Sequence, residues 1–108
     1  MVREIDVHDL VRRLAASEPV YLVDVRQPDE HAFAALPDSV LIPLAELPRR
    51  VQEVRPPAAA LVVVYCHHGL RSLSGAAFLE RAGLADVVSL HGGIDAWSRE
   101  VDPTVPRY

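Results

Sequence analysis

The only cysteine of the sequence, Cys66, ends an apolar run and opens a short polar segment. Residues 61–65 read Leu-Val-Val-Val-Tyr, and a continuous β-branched run of this length is typical of a strand buried on both faces of a parallel sheet. Two histidines, a glycine and an arginine follow, which are poor core residues. This context favours a nucleophilic thiol over a cysteine that only fills space in the core. The segment after the cysteine consists of His67, His68, Gly69, Leu70, Arg71 and Ser72.

The sequence after Ser72 predicts a helix, since its apolar residues recur near helical period. The thiol would then lie at the carboxyl end of a strand, where open α/β sheets bind ligands. Backbone N–H groups of the loop and the helix N-terminus would point at it and, with Arg71, favour loss of its proton. We expect Ser72 to be the helix N-cap and Gly69 to adopt a positive φ.

The segment Cys66–Ser72 resembles the active-site loop of the rhodanese family of sulfurtransferases, with the cysteine first and Arg-Ser last. The resemblance extends over roughly Val20 to Trp97, although Ala34-Ala35 stands where the family usually has Gly-His, and no role is carried onto those two positions. It implies that Cys66 takes up a sulfane sulfur as a persulfide and passes it to a nucleophile. We expect residues 67–72 to bind the donor, and Asp24, at a strand end, to have a supporting role through charge-assisted hydrogen bonds. The other matching segments are Asp24-Val25-Arg26, Glu30, Ile42-Pro43, Gly92-Gly93 and Ala96-Trp97.

The resemblance also implies substrates and partners. The donor would be thiosulfate or another persulfide, the acceptor would be a thiol or cyanide, and no cofactor is implied. Residues 101–108 resemble the ends of rhodanese domains fused to sulfur-carrier adenylyltransferases. A cysteine desulfurase or a sulfur-carrier protein is therefore an expected protein partner.

Two other functions remain open. The chain could be a sulfur-carrier or docking module that exchanges persulfide only with a protein partner. It could also be a thiol phosphatase or arsenate reductase, but phosphatase loops place the arginine one position further along than Arg71, which stands five residues after Cys66. The shorter loop predicts a cradle sized for a bound sulfur. His67 and His68 are adjacent, so we expect their side chains to diverge. They either line the rim of the site and bind the donor anion or are simply solvated.

Length and composition are those of an ordinary globular protein, and they predict that residues 1–108 form one domain. The resemblance implies that this domain is rhodanese-like. The formal net charge of −4 favours neither nucleic acid nor an anionic membrane as partner. All eleven basic residues are arginines. A lone cysteine fits a reducing compartment, and residues 1–6 lack an apolar signal segment, so we expect a cytoplasmic protein. Adjacent histidines rarely close a metal site alone, and we expect no metal.

Alternating strand and helix patterns predict an α/β fold: a mostly parallel central sheet flanked by helices on both faces. Asp6 is the expected N-cap of the first helix, and Trp97 is expected in the core. Expected strands cover residues 3–5, 20–25, 40–42, 61–65 and 87–90. Helices are expected from Val7, from Pro28, from Leu47 or Pro48, from Ser72 to about Arg81-Ala82, and along the stripe Ile94, Trp97 and Val101.

Overall fold

The computed structural model describes residues 1–108 and contains a single five-stranded sheet. Its order is β1-β5-β4-β2-β3, and every pair of neighbouring strands is parallel. The predicted parallel α/β sheet is therefore confirmed. The strands are β1 (Arg3–Ile5), β2 (Val20–Asp24), β3 (Val40–Leu41), β4 (Leu61–Tyr65) and β5 (Val87–Leu90).

Five α-helices connect or follow the strands, and the helix after β3 is interrupted. The predicted helix near Leu47 is only one turn long, with Pro48 inside its first turn and a 3₁₀ turn on each side, at Leu44–Glu46 and Val51–Glu53. The helices are α1 (Val7–Ala15), α2 (Pro28–Phe33), α3 (Leu47–Arg50), α4 (Arg71–Arg81) and α5 (Gly93–Glu100). None of these helices has both the length and the apolar composition needed to cross a membrane.

Two hydrophobic cores lie on opposite faces of the sheet, and β4 contributes to both. Leu61, Val63 and Tyr65 pack in one core with residues of α1 and α5. Val62 and Val64, followed by Cys66, pack in the other core with residues of α3 and α4. Burial of β4 on both faces explains why its sequence is apolar throughout rather than alternating.

Asp6 and Gly75 each explain a detail of a helix, and the first of these was expected. Asp6 caps α1, since its side chain accepts the N–H of Asp9 at 2.8 Å. Gly75 brings α4 close to the sheet, because a β-carbon there would lie 3.2 Å from side-chain carbons of Val25 and Val64. This close approach sets the height of the α4 N-terminus above the end of β4, and with it the shape of the loop between them.

Candidate active site

Cys66 directly follows β4 and is only 1% exposed. The backbone N–H groups of Gly69 and Ser72 both donate to its sulfur, at 3.2 and 3.4 Å. Gly69 has φ +101°, as expected, and this conformation turns its N–H back toward Cys66. The loop thus surrounds the sulfur with backbone donors, an arrangement that stabilises negative charge there.

A pair of buried serine hydroxyls extends this polar environment. The Cys66 thiol donates to Ser72 Oγ at 3.5 Å, and Ser89 Oγ on β5 donates to the same Ser72 oxygen at 2.8 Å. Both serines are fully buried. Sequence reasoning missed Ser89, and its only signal is a hydroxyl inside an otherwise apolar strand.

The expectation that Ser72 caps α4 is wrong. The helix begins at Arg71, Leu70 occupies the N-cap position, and no side chain caps the helix. Ser72 lies inside the first turn because its hydroxyl points into the buried space next to the sulfur. The Ser72 hydroxyl cannot cap the helix and contact the buried Cys66 sulfur at the same time. In the structure it contacts the sulfur.

The N-terminus of α5 holds the other side of the loop. The N–H groups of Ile94 and Asp95 donate to the carbonyls of Cys66 and His67 at 2.9 and 3.0 Å. Gly93, with φ +60°, lies against those carbonyls. Because the carbonyls are held toward α5, the loop's N–H groups are free to face the sulfur.

Arg71 is bound to a carboxylate rather than left free beside the thiol. Its two terminal nitrogens donate to Glu30 Oε1 and Oε2 at 2.8 and 3.0 Å. These hydrogen bonds lower the pKa of Glu30 from 4.5 to about 2 and raise the pKa of Arg71. The expected field of Arg71 at the thiol is therefore shared with Glu30, a partner that sequence reasoning did not assign to it.

His67 and His68 do not diverge, contrary to expectation. Their rings stack at a centroid distance of 3.8 Å, and Tyr108 stacks on His67 at 3.8 Å and 5°. The His67 ring is thus held between the rings of His68 and Tyr108, a contact that the two adjacent histidines could not make without the tyrosine. Burial and the neighbouring His68 lower the pKa of His67, which disfavours the charged form of its ring.

Residues 105–108 are tied to this side of the site at several points. Ser98 Oγ donates to the Val105 carbonyl at 2.5 Å, and Arg107 Nε donates to Asp95 Oδ1 at 3.0 Å. The Tyr108 hydroxyl accepts from Arg26 at 2.8 Å and donates to Glu30 Oε2 at 2.7 Å. This segment thereby fixes both Glu30 and the His67 ring.

His67, His68 and Asp95 place possible metal-ligand atoms within 4.8 Å of one another, a grouping that the sequence did not predict. Both oxygens of Asp95 are already occupied, however, by Arg99 at 2.9 Å and Arg107 at 3.0 Å. Burial opposes ionisation of Asp95, but these two hydrogen bonds outweigh it and lower the pKa of the carboxyl. The carboxylate thus serves to anchor α5 and residues 105–108.

Asp24, at the end of β2, is the centre of a buried network below the loop. It accepts two hydrogen bonds from the Arg26 guanidinium, at 2.7 and 2.9 Å, one from the Arg26 backbone N–H at 3.0 Å, and one from the Tyr65 hydroxyl at 3.2 Å. His31 Nδ1 lies 2.8 Å away. Burial, with the Asp24 charge, raises the pKa of Tyr65 to about 12. The Arg26 side chain is fully buried and also reaches Tyr108. The network joins β2, β4 and α2 without touching the thiol.

Leu70 is an exposed residue of the loop, with 77% of its surface accessible. It stands between Gly69, which contacts the sulfur, and Arg71. An apolar side chain is thus presented to solvent next to a buried thiol.

Residues 6–100 match the family described as Rhodanese-like domain. The chain is 43% identical over 105 residues to a protein named Sulfurtransferase from Allochromatium vinosum, covering 97% of this chain and 96% of that protein. It is 34% identical to a protein from Ogataea parapolymorpha named adenylyltransferase and sulfurtransferase uba4; 99% of this chain is covered, but it spans only 27% of that protein. The crystal structure of a rhodanese-like domain protein from Staphylococcus aureus superposes with a TM-score of 0.82 at 29% identity, over 99% of both chains.

Proposed function

Because this chain belongs to the rhodanese-like domain family, with sulfurtransferases among its relatives, we propose that it transfers sulfane sulfur through a persulfide on Cys66. The donor is thiosulfate or another persulfide, and the acceptor is a nucleophile such as a thiol or cyanide. The observation that carries the proposal is the pair of backbone N–H groups, from Gly69 and Ser72, that donate to the Cys66 sulfur at 3.2 and 3.4 Å.

The proposed reaction has two steps, neither of which needs an external oxidant or reductant. In the first, the Cys66 thiolate attacks the sulfane sulfur of thiosulfate, a new sulfur–sulfur bond forms, and sulfite leaves with the electron pair of the broken bond. An organic persulfide releases its thiol in the same way. In the second step, cyanide or a thiolate attacks the outer sulfur, and the Cys66 thiolate leaves.

The loop supports sulfur chemistry over phosphate or arsenate chemistry. Arg71 is bound to Glu30 by both of its terminal nitrogens. A phosphoryl group has three equatorial oxygens to stabilise in the transition state. A persulfide adds a single atom to Cys66 and needs only donors aimed at sulfur.

Carriage of sulfur for a protein partner is the second candidate function. It is favoured by Leu70, whose exposed apolar side chain next to the thiol would be covered by a docked protein. On this proposal, a cysteine desulfurase supplies the persulfide or a sulfur-carrier protein receives it. Transfer between proteins would then be fast, and turnover of free thiosulfate slow.

The test is to mix the purified protein with thiosulfate or with cysteine persulfide and to map added sulfur by peptide mass spectrometry. We expect one extra sulfur atom on Cys66, its release to cyanide, and no turnover by Cys66→Ser. Absence of sulfur on Cys66 after treatment with each of the two donors, or unchanged turnover by Cys66→Ser, would overturn the proposal. Charging by a persulfidated cysteine desulfurase, compared with charging by thiosulfate, separates carriage from small-molecule turnover.

A further inference from the structure

Arg71 is the only arginine of the loop Cys66–Ser72, which has no lysine, and its charge is balanced by that of Glu30. The guanidinium and the Glu30 carboxylate meet through two parallel hydrogen bonds, the strongest geometry for this pair of groups. The Glu30 side chain is only 17% exposed and that of Arg71 is 37% exposed, so solvent screens their pairing incompletely. An incoming anion therefore meets a neutral pair instead of a free cation.

Glu30 is itself fixed and cannot easily swing away from Arg71. The backbone N–H of Gln27 donates to Glu30 Oε1 at 3.0 Å, as part of the capping box that begins α2. The Tyr108 hydroxyl donates to Oε2 at 2.7 Å. Moving the carboxylate would break both of these bonds in addition to those from Arg71.

The other arginines around the loop are also paired with carboxylates. Arg26 is bound to Asp24, and Arg99 and Arg107 are both bound to Asp95. No arginine in this region offers an uncommitted charge to a small dianion. Thiosulfate would have to compete with Glu30 for Arg71 and would lie close to the Glu30 charge while doing so.

We propose that Glu30 is a specificity-determining residue that disfavours thiosulfate relative to organic persulfides. The inference rests on the proposed sulfur transfer through Cys66 and names its substrate class. Thiosulfate brings two negative charges to the site, whereas cysteine persulfide and a persulfide on a protein cysteine bring less. Like charges brought close together reduce binding, and the penalty grows with the charge of the donor.

The test compares Glu30→Gln with the native protein using thiosulfate and cysteine persulfide as alternative donors and cyanide as acceptor. Glutamine keeps the size and one acceptor oxygen of the side chain but removes its charge. We expect the ratio of kcat/KM for thiosulfate to kcat/KM for cysteine persulfide to rise about tenfold, mainly through a lower KM for thiosulfate. Glu30→Ala, which also removes the charge, should shift the ratio in the same direction if the glutamine variant does not fold.

Glu80→Gln is the matched control, because Glu80 is an exposed residue near the far end of α4 and its loss changes the net charge equally. We expect it to leave the donor ratio unchanged. An unchanged or lower ratio in both Glu30 variants, with Cys66 still charged by both donors, would overturn the role of Glu30 alone. Failure of both donors to charge Cys66 in the native protein would overturn the proposed function and this inference with it.

Discussion

A β-carbon placed on Gly93 would lie 2.4 Å from the carbonyl oxygen of His67. The Cys66 carbonyl oxygen would be 2.5 Å away, so the contact is with backbone that cannot rotate aside. Gly93 therefore allows α5 to approach the loop closely enough for Ile94 and Asp95 to hold these two carbonyls. The absence of a side chain here is what lets the loop turn its N–H groups toward the sulfur.

Gly93→Ala should lower the free energy of unfolding by about 3 kcal/mol, because it combines a clash with a strained φ. Sulfur transfer by the folded fraction should fall as well. Gly83→Ala is the control: Gly83 also has a positive φ, but nothing lies within 4 Å of a β-carbon there. That substitution should lower the free energy of unfolding by only roughly 1–2 kcal/mol and leave sulfur transfer unchanged. Urea unfolding measures the free energy of unfolding of both variants. Equal losses in Gly93→Ala and Gly83→Ala would contradict the proposed contact.

Ser89→Ala should slow sulfur transfer without weakening donor binding. The Ser89 hydroxyl satisfies the Ser72 oxygen, which leaves the Ser72 proton free to turn toward a Cys66 thiolate. Loss of this positioning should reduce kcat about fivefold, the equivalent of one hydrogen bond of ~1 kcal/mol. KM should not change, because Ser89 is buried beneath the sulfur. Ser74→Ala, on the exposed side of α4, is the control; a raised KM with normal kcat in Ser89→Ala would contradict the prediction.

Asp24→Asn should destabilise the fold strongly. The Arg26 side chain is fully buried, and removing the charge of its partner leaves an uncompensated guanidinium in the interior. We expect a loss of about 3–5 kcal/mol in the free energy of unfolding. Asp86→Asn breaks an exposed pair with Arg3 and should cost less than about 1 kcal/mol. Similar losses in the two variants would show that the buried network does not support the site as described.

Lowering the pH should reduce the free energy of unfolding of the native protein more than that of the Glu30→Gln variant. The pKa of Glu30 is about 2 in the folded protein and 4.5 ordinarily, so between these values the unfolded chain binds the extra proton. The contribution of Glu30 is therefore complete above about pH 4.5 and is lost as the pH falls toward 2. We expect this loss to be about 1–2 kcal/mol after allowance for solvent screening. Urea unfolding of both proteins at pH 6 and pH 3 measures this loss. An equal fall in the free energy of unfolding of the two proteins would refute the prediction.

The native protein should not hydrolyse aryl phosphates, and its loop should not tolerate lengthening. One glycine inserted between Leu70 and Arg71 would move the Ser72 N–H away from the Cys66 sulfur. Loss of such a backbone donor should reduce sulfur transfer about 100-fold. An insertion of one glycine after Gly83, at the open end of α4, is the control. Ready phosphate hydrolysis that disappears in Cys66→Ser would require the sulfur assignment to be abandoned.

The strand–loop–helix around Cys66 could be predicted because local sequence determines it. The apolar run of β4 and the positive φ of Gly69 each follow from the properties of neighbouring residues. Trp97 is buried in the core as expected, at 6% exposure. Periodicity also predicted the helices on both faces of the sheet.

The partners of the loop side chains could not be predicted in the same way. Glu30 and Arg71 are 41 residues apart, and only the path of the whole chain brings them together. The stacking of Tyr108 on His67 depends on how residues 105–108 are tied to α5. Ser72 has the residue type of an N-cap, but contact with a buried sulfur outweighed the capping preference.

The position of β5 between β1 and β4 determines when the thiol becomes sheltered during folding. Residues 3–5 have no strand to pair with until residues 87–90 join the sheet, and contacts so distant in sequence close late. The α5 N–H groups that hold the Cys66 and His67 carbonyls arrive only after β5. We therefore expect the Cys66 thiol to be more accessible to oxidants in chains whose residues 87–100 have not yet folded.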